Sequence, residues 1–162
     1  MAVRNMRDTV LKIQDGTPVT PLSITVPCMD GTLEFDEDTP ASVIMHRGKI
    51  HSRREGDEVP CKVKFEIKFE QWQASAGVSG TSVRDALKKE GGASAWVSTD
   101  ACGPFAVTLI LDITNPCTPA EKETLTFNDF HCEKIKFKEG SDFHTISVEG
   151  TCLAVKPVRT YA

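Results

Sequence analysis

The chain has 162 residues, 40% of them hydrophobic and 26% charged, with a formal net charge of −4, which fits one globular domain with its own core and excludes a disordered chain or two ordinary domains. That charge is too mild to demand a nucleic-acid or membrane partner, and the longest apolar stretch, Phe105 to Leu111, is interrupted by Thr108 and far too short to span a bilayer. No apolar run of signal-peptide length opens the chain, so the expectation is a protein made and folded in the cytoplasm, with its six cysteines as thiols.

Asp8 to Gln14 alternates through Val10 and Ile13 and ends at Asp15-Gly16, a strand followed by a turn. Leu22 to Val26, bounded by Pro21 and Pro27, and Thr32 to Asp36, after Asp30-Gly31, read as a short hairpin or as edge strands. The acids Asp36-Glu37-Asp38 and then Thr39-Pro40 break the pattern, and about 37–60 reads as a long charged loop. Within it Arg47, Lys49, Arg53 and Arg54 precede Glu55, Asp57 and Glu58. Such a loop is either a solvated surface or an interface. With its two signs in separate blocks it can complement a second copy head to tail, so these seven residues are the candidate subunit-interface residues.

The cleanest pattern follows Pro60. Cys61, Val63, Phe65, Ile67 and Phe69 occupy alternate positions, with Lys62, Lys64, Glu66, Lys68 and Glu70 between them. A strand points successive side chains to opposite faces, so this one is half-buried, with one apolar and one charged face. Beyond Trp72 and the small residues Ala74 to Gly80, a helix is expected at about 82–90. Ser82 caps it, Asp85 stands at the third helical position, and Val83, Ala86 and Leu87 form its apolar stripe. Lys88 and Lys89 suit its C-terminal end and Gly91-Gly92 stops it. Trp96-Val97 and Phe105 to Ile113 resume β structure, the latter apolar enough to be central, and Asn115 to Pro119 is a loop. The last third reads as a meander: Glu123 to Phe130, His131 to Lys138, a turn at Glu139 to Asp142, and Phe143 to Val155. A turn centred on Gly140-Ser141 sets Phe137 opposite His144 and Ile135 opposite Ile146. Lys134, Lys136 and Lys138 then share the other face with Thr145, Ser147, Glu149 and Thr151, and about 156–162 forms a C-terminal arm, ordered on assembly.

Chemistry-bearing motifs are missing: there is no G-x-S-x-G, H-E-x-x-H, P-loop or glycine-rich dinucleotide turn. His46, His51, His131 and His144 have no spaced carboxylate or nucleophile beside them, no C-x-x-C occurs, and Asp36-Glu37-Asp38 lacks calcium-loop spacing. No catalytic, cofactor-binding or metal-binding residue is therefore expected, and no cofactor. Cys61 and Cys152 read as small core residues, Cys102 and Cys117 are separated by a whole strand, and Trp72 and Trp96 read as core or interface anchors. The expected fold class is mainly β, a β-sandwich or barrel-like pair of antiparallel sheets flanked by one short α-helix at about 82–90, in a single domain spanning 1–162. A chain of this kind without a site is a binder or a building block.

Arg53 to Pro60 running into the alternating strand, V-R-D-A-L-K-K at 83–89, A-W-V-S-T-D at 95–100, K-E-T-L-T-F-N-D-F at 122–130 and T-I-S-V-E-G-T-C at 145–152 together resemble the tail tube proteins of tailed bacteriophages. The type VI secretion tube is similar in fold. The resemblance covers about 48–152 and implies a virion protein, not an enzyme, whose β-sandwich with one helix forms hexameric rings. Those rings stack into a hollow tail tube through which DNA passes. It implies as partners other copies of the chain and tail proteins such as a terminator, a tape measure or, in a contractile tail, a sheath, with no membrane. Mild acidity suits a conduit, since a wall attracting phosphates would retain DNA by counterion release. Two other readings stay open on the residues alone: another virion structural role, such as a capsid decoration protein, or a small β-barrel that binds a ligand or acts as an enzyme.

Overall fold

The structure, a computed structural model, describes residues 8–26, 28, 32–69 and 80–161. Its strand β6 (Lys62–Lys68) follows the period-two pattern of the sequence, with Val63, Phe65 and Ile67 buried and Lys62, Lys64 and Lys68 exposed. The others are β1 (Thr9–Gln14), β2 (Ser23–Val26), β3 (Glu34–Asp36), β4 (Ala41–His46), β5 (Lys49–Glu55), β7 (Val107–Thr114), β8 (Lys122–Lys138), β9 (Thr145–Cys152) and β10 (Val158–Tyr161), with one helix, α1 (Val83–Lys88). Among the described residues eight strands form one antiparallel sheet in the order β2-β1-β7-β8-β9-β6-β3, with β10 also on β8, while β4 and β5 pair only with each other.

The long sheet becomes a sandwich because it bends at β8. This strand runs 17 residues without a break at Phe130-His131, so the two strands expected there are one. Its N-terminal part pairs with β7 and β10, and its C-terminal part with β9. Phe130 is in register with both Val107 and Cys152, and the register shifts on either side of it. Asp129 adopts the left-handed conformation, φ 51°, and accepts a hydrogen bond from Thr99 Oγ1 at 2.9 Å. Bulges of this kind sharpen the bend of a strand. The inner faces then meet in one core: Leu11, Ile13, Leu109 and Phe127 from one layer, Val63, Phe65, Ile146 and Val148 from the other. Phe35 of β3 crosses to Phe127 with ring centroids 5.1 Å apart. The structure is mainly β and sandwich-like, as the alternation implied.

Residues 22–26 and 32–36 do not form a hairpin. β2 pairs with β1 and β3 with β6, so each is an edge strand, at opposite ends of the sheet path. The reason is that the chain between them changes layers. Cys28 makes a single bridge to Ile67, and Thr32 Oγ1 holds both the N–H and the carbonyl of Glu66 at 3.2 Å, extending the ladder towards β3. In the last hairpin Phe137 faces Ile146 and Ile135 faces Val148, two residues from the expected register, because the turn is longer. There the Gly140 N–H donates to His144 Nδ1 at 3.2 Å. A slip of two preserves the faces, so Lys134, Lys136 and Lys138 still share one with Thr145, Ser147 and Glu149.

Helix α1 starts where its cap indicates, with the Asp85 N–H donating to Ser82 Oγ at 3.1 Å. It stops earlier than the glycines, at Lys89 in the left-handed conformation, and Gly91–Ala93 forms a separate 3-10 turn. Trp96 is 3% exposed and belongs to the core, while Trp72 lies outside the described residues. The expected C-terminal arm is strand β10 from 158 to 161, paired with β8. Cys61 and Cys152 are buried beside each other, the Cys152 N–H donating to the Cys61 carbonyl at 2.9 Å. Burial, with a smaller contribution from Cys61, pushes the Cys152 thiol up to about 12, so it stays protonated. No helix among the described residues is long and apolar enough to cross a membrane.

Two buried carboxylates tie segments of the first layer together, Asp112 across β1, β7 and β8 and Asp15 between the turn after β1 and Val97. Asp112 accepts from Thr124 Oγ1 at 2.9 Å and from Lys122 and Lys12 at 3.1 and 3.4 Å. Burial pushes its carboxyl up, but the bonds from Lys122 and Thr124 and the charges of Lys122 and Lys12 outweigh that and hold it below its ordinary value. Asp15 is likewise lowered, its burial outweighed by Thr17 and the N–H groups of Val97 and Leu22. A carboxyl with a depressed folded-state value stabilises above the ordinary value of about 4 and loses that contribution as pH falls through the lower one. Asp112→Asn is expected to lower the unfolding free energy near neutral pH by about 1–3 kcal/mol and to flatten its acid dependence, read by urea titrations across pH. Gly150 has no room for a Cβ, which would meet the His131 carbonyl oxygen at 2.2 Å and the Phe130 ring at 2.6 Å. Gly150→Ala is therefore expected to cost roughly 3 kcal/mol, with a matching fall in melting temperature.

Candidate functional site

The bend in β8 leaves an unusual pair of edges. As far as Phe130 the strand has β7 on one side, but from His131 to Lys138 only β9 is paired with it, on the other. Among the described residues no strand covers that second edge, and the layer β8-β9-β6-β3 is open there. Its other margin is β3, paired only with β6. The two margins differ in charge. Lys134, Lys136 and Lys138 stand on the β8 side, exposed and without an ion pair to any described residue. Glu34, Asp36, Glu37 and Asp38 stand at the β3 margin, exposed, and only Glu34 reaches a cation, Lys64 at 3.9 Å. Lys64 lies closer still to Glu149, at 3.6 Å, so the outer face between the margins alternates in sign through Glu34, Lys64, Glu149 and Lys134. An unpaired edge presents a row of free backbone donors and acceptors, and native chains cover, charge or pair such rows.

The charged segment expected to be a loop is the hairpin β4–β5. Its turn runs His46-Arg47-Gly48-Lys49, with Arg47 at φ 50° and Gly48 at φ 77°, the positive angles that a two-residue hairpin turn requires. Every residue of both strands is exposed except Ser52, which is half-buried. By period two, Val43 and Met45 share a face, and Ile50, opposite Met45, shares it too. These three are 52, 55 and 74% exposed. The pairing shifts between Ile44 and Met45, and His51, the extra residue, stands near His46 with ring centroids 6.1 Å apart. An isolated two-stranded hairpin is marginal in water.

The seven candidate interface residues fall in two places. Arg47 and Lys49 are at the tip. Arg53, Arg54 and Glu55, with Asp57 and Glu58 in the segment beyond, line a cleft of about 650 Å³ at the hairpin base, to which Val155 and Lys156 also contribute. None of the seven makes an ion pair with another described residue. What the charge pattern missed is the apolar stripe between tip and base and the lysine edge of β8. The signal for the first was present in Val43-Ile44-Met45 with Ile50, an apolar group inside a charged stretch. Among the described residues no group of three or more His, Cys, Asp or Glu side chains is placed to hold a metal ion.

In fold the chain is similar to a chain in the cryo-EM structure of the anti-feeding prophage (AFP) baseplate, 6-fold symmetrised, with TM-score 0.55 and 10% identity over 99% of this chain and 95% of that one. It is also similar to a chain in the cryo-EM structure of an extracellular contractile injection system, the PVC sheath-tube complex in the extended state, with TM-score 0.58 and 6% identity over 99% and 93%. No protein-family model and no curated protein matches the sequence. At these identities the likeness is one of fold, over nearly the whole length of both chains.

Because β4 and β5 pair only with each other, their amides are expected to exchange with solvent far faster than those of β6 and β9 in the monomer. Hydrogen–deuterium exchange of 41–55 against 62–68 measures this, and slow exchange of the arm in isolated monomers would remove its need for a partner.

Proposed function

We propose that the chain is the structural subunit of a phage-tail-like tube, a virion protein whose copies close into hexameric rings that stack into a hollow conduit for DNA. The observation that carries this reading is the layer β3-β6-β9-β8, which has one acidic and one lysine-rich free margin. Two unlike margins on one molecule make a heterologous contact, in which each copy offers its neighbour the margin the neighbour lacks. Such contacts close into rings when the rotation between copies permits. Glu34, Asp36 and Asp38 of one copy facing Lys134, Lys136 and Lys138 of the next would extend the sheet and satisfy the backbone groups left open at β8. The fold shared with chains from a 6-fold symmetrised baseplate and from a sheath–tube complex supports a role in this kind of particle.

In this reading Arg47, Lys49, Arg53, Arg54, Glu55, Asp57 and Glu58 lie in contacts between subunits, which accounts for their having no ion pair with a described residue of their own chain. The role is structural rather than enzymatic, and the further partners are other tail proteins. The double variant Arg53→Glu, Arg54→Glu is expected to keep its circular dichroism spectrum and melting temperature, because both side chains are exposed on an arm outside the core, while forming fewer and shorter tubes. Electron microscopy at matched concentration reads the difference. Tube yield equal to the parent chain's would take the arm out of the interface, and an absence of rings from the parent chain at high concentration across salt conditions would overturn the tube itself.

A further inference from the structure

Near its tip the hairpin β4–β5 has two faces. Val43, Met45 and Ile50 share one of them. On the other, His46 stands opposite Lys49 and Ile44 opposite Ser52, and the shift in pairing between Ile44 and Met45 inserts His51 on the second strand. A bulge re-aims the side chain of its extra residue. Here it brings His51 to His46, with ring centroids 6.1 Å apart and ring planes at 54°. Both residues are exposed. Among the described residues no hydrogen bond or ion pair engages either ring, whereas His144 Nδ1 accepts from the Gly140 N–H. Two imidazoles from two strands thus stand side by side with their nitrogens open to solvent.

We infer that His46 and His51 form a chelate for one divalent transition cation of the class that imidazole nitrogen binds: zinc, nickel or copper. Two imidazoles on one such ion, each nitrogen about 2.0–2.1 Å from it, have ring centres roughly 5 Å apart at the tetrahedral angle. The observed separation is about 1 Å greater, a difference that two exposed side chains close by turning about χ1 and χ2. Two ligands fall short of the three of a catalytic site and the four of a closed structural one, so the ion keeps positions that water fills. Lys49 faces His46 across the strands and Arg47 lies at the tip. Their charges oppose a cation, but both side chains are exposed and the surrounding salt solution screens them. The two ligands belong to different strands, so the ion ties β4 to β5, which among the described residues pair only with each other. Binding that favours the paired hairpin stabilises it. One copy of the chain supplies both ligands, so the ion binds whether or not rings form.

Nickel(II) is the probe of choice, because unlike copper(II) it does not oxidise the exposed thiols of Cys102 and Cys117. Calorimetric titration of the monomeric chain with nickel(II) should find a site whose affinity falls by about tenfold or more in His46→Ala and in His51→Ala, since either change leaves one ligand where there were two. The double variant His46→Ala, His51→Ala sets the background from His131, His144 and the thiols. Both side chains are exposed on an arm outside the core, so the metal-free variants should melt as the parent chain does. Saturating nickel(II) should also slow hydrogen–deuterium exchange of 41–55 in the parent chain and in neither single variant. An affinity that either single variant leaves unchanged overturns the chelate, as does binding that leaves exchange of 41–55 as it was without metal.

Discussion

Strand β8 serves two layers, and the bend at Phe130 lets it do so. A straight strand of 17 residues would carry β7, β10 and β9 in one flat sheet with no interior. The left-handed backbone of Asp129, held by Thr99, and the register shift between Cys132 and Lys134 turn the second half away from the first. Gly150 makes the bend possible from the other side, because only a residue without a side chain leaves space for the Phe130 ring and the His131 carbonyl. The core that results draws on both halves: Phe127 and Phe130 from β8 itself, Phe65 from β6 and Leu109 from β7 are all nearly inaccessible to solvent.

The same bend generates the surface on which the functional reading rests. In turning to pair with β9, β8 leaves β7 behind, and among the described residues no strand lies beside its lysine-bearing margin. The chain's other layer change, from β2 past Cys28 and Thr32 to β3, delivers the acids at 34–38 to the opposite margin. Core formation and edge exposure are therefore one event in this architecture. The hairpin β4–β5 is a second exposed element, inserted between β3 and β6 and contributing nothing to the shared core.

What could be read in the sequence was whatever local chemistry decides. The alternation from Cys61 to Phe69 became β6 because burial of one face fixes period two, and Ser82 with Asp85 marked the helix start because the cap bond spans three residues. The partner of β3 was not legible, since it lies in β6 on the far side of an inserted hairpin and no local signal encodes that crossing. Nor was the continuity of β8, although Asn128-Asp129, residue types that tolerate positive φ, sits at the bend. The hairpin was mistaken for a loop for a clear reason: a strand with both faces in solvent has no alternation to read, and the turn Arg47-Gly48 lacks the Asn or Asp that usually announces it. Its charges were legible as two blocks of opposite sign, whereas the apolar stripe and the uncovered edge of β8 among the described residues required the fold.

The central claim is that unlike margins of one layer meet between copies. A cryo-EM reconstruction of particles formed by the concentrated chain tests it most directly. Contact between the unlike margins predicts one continuous sheet around the ring, with β3 of each copy beside the 131–138 part of its neighbour's β8 and the acids at 34–38 facing Lys134, Lys136 and Lys138. A two-fold dimer that buries the same margin of both copies, or rings joined through other elements while both margins stay in solvent, would contradict it.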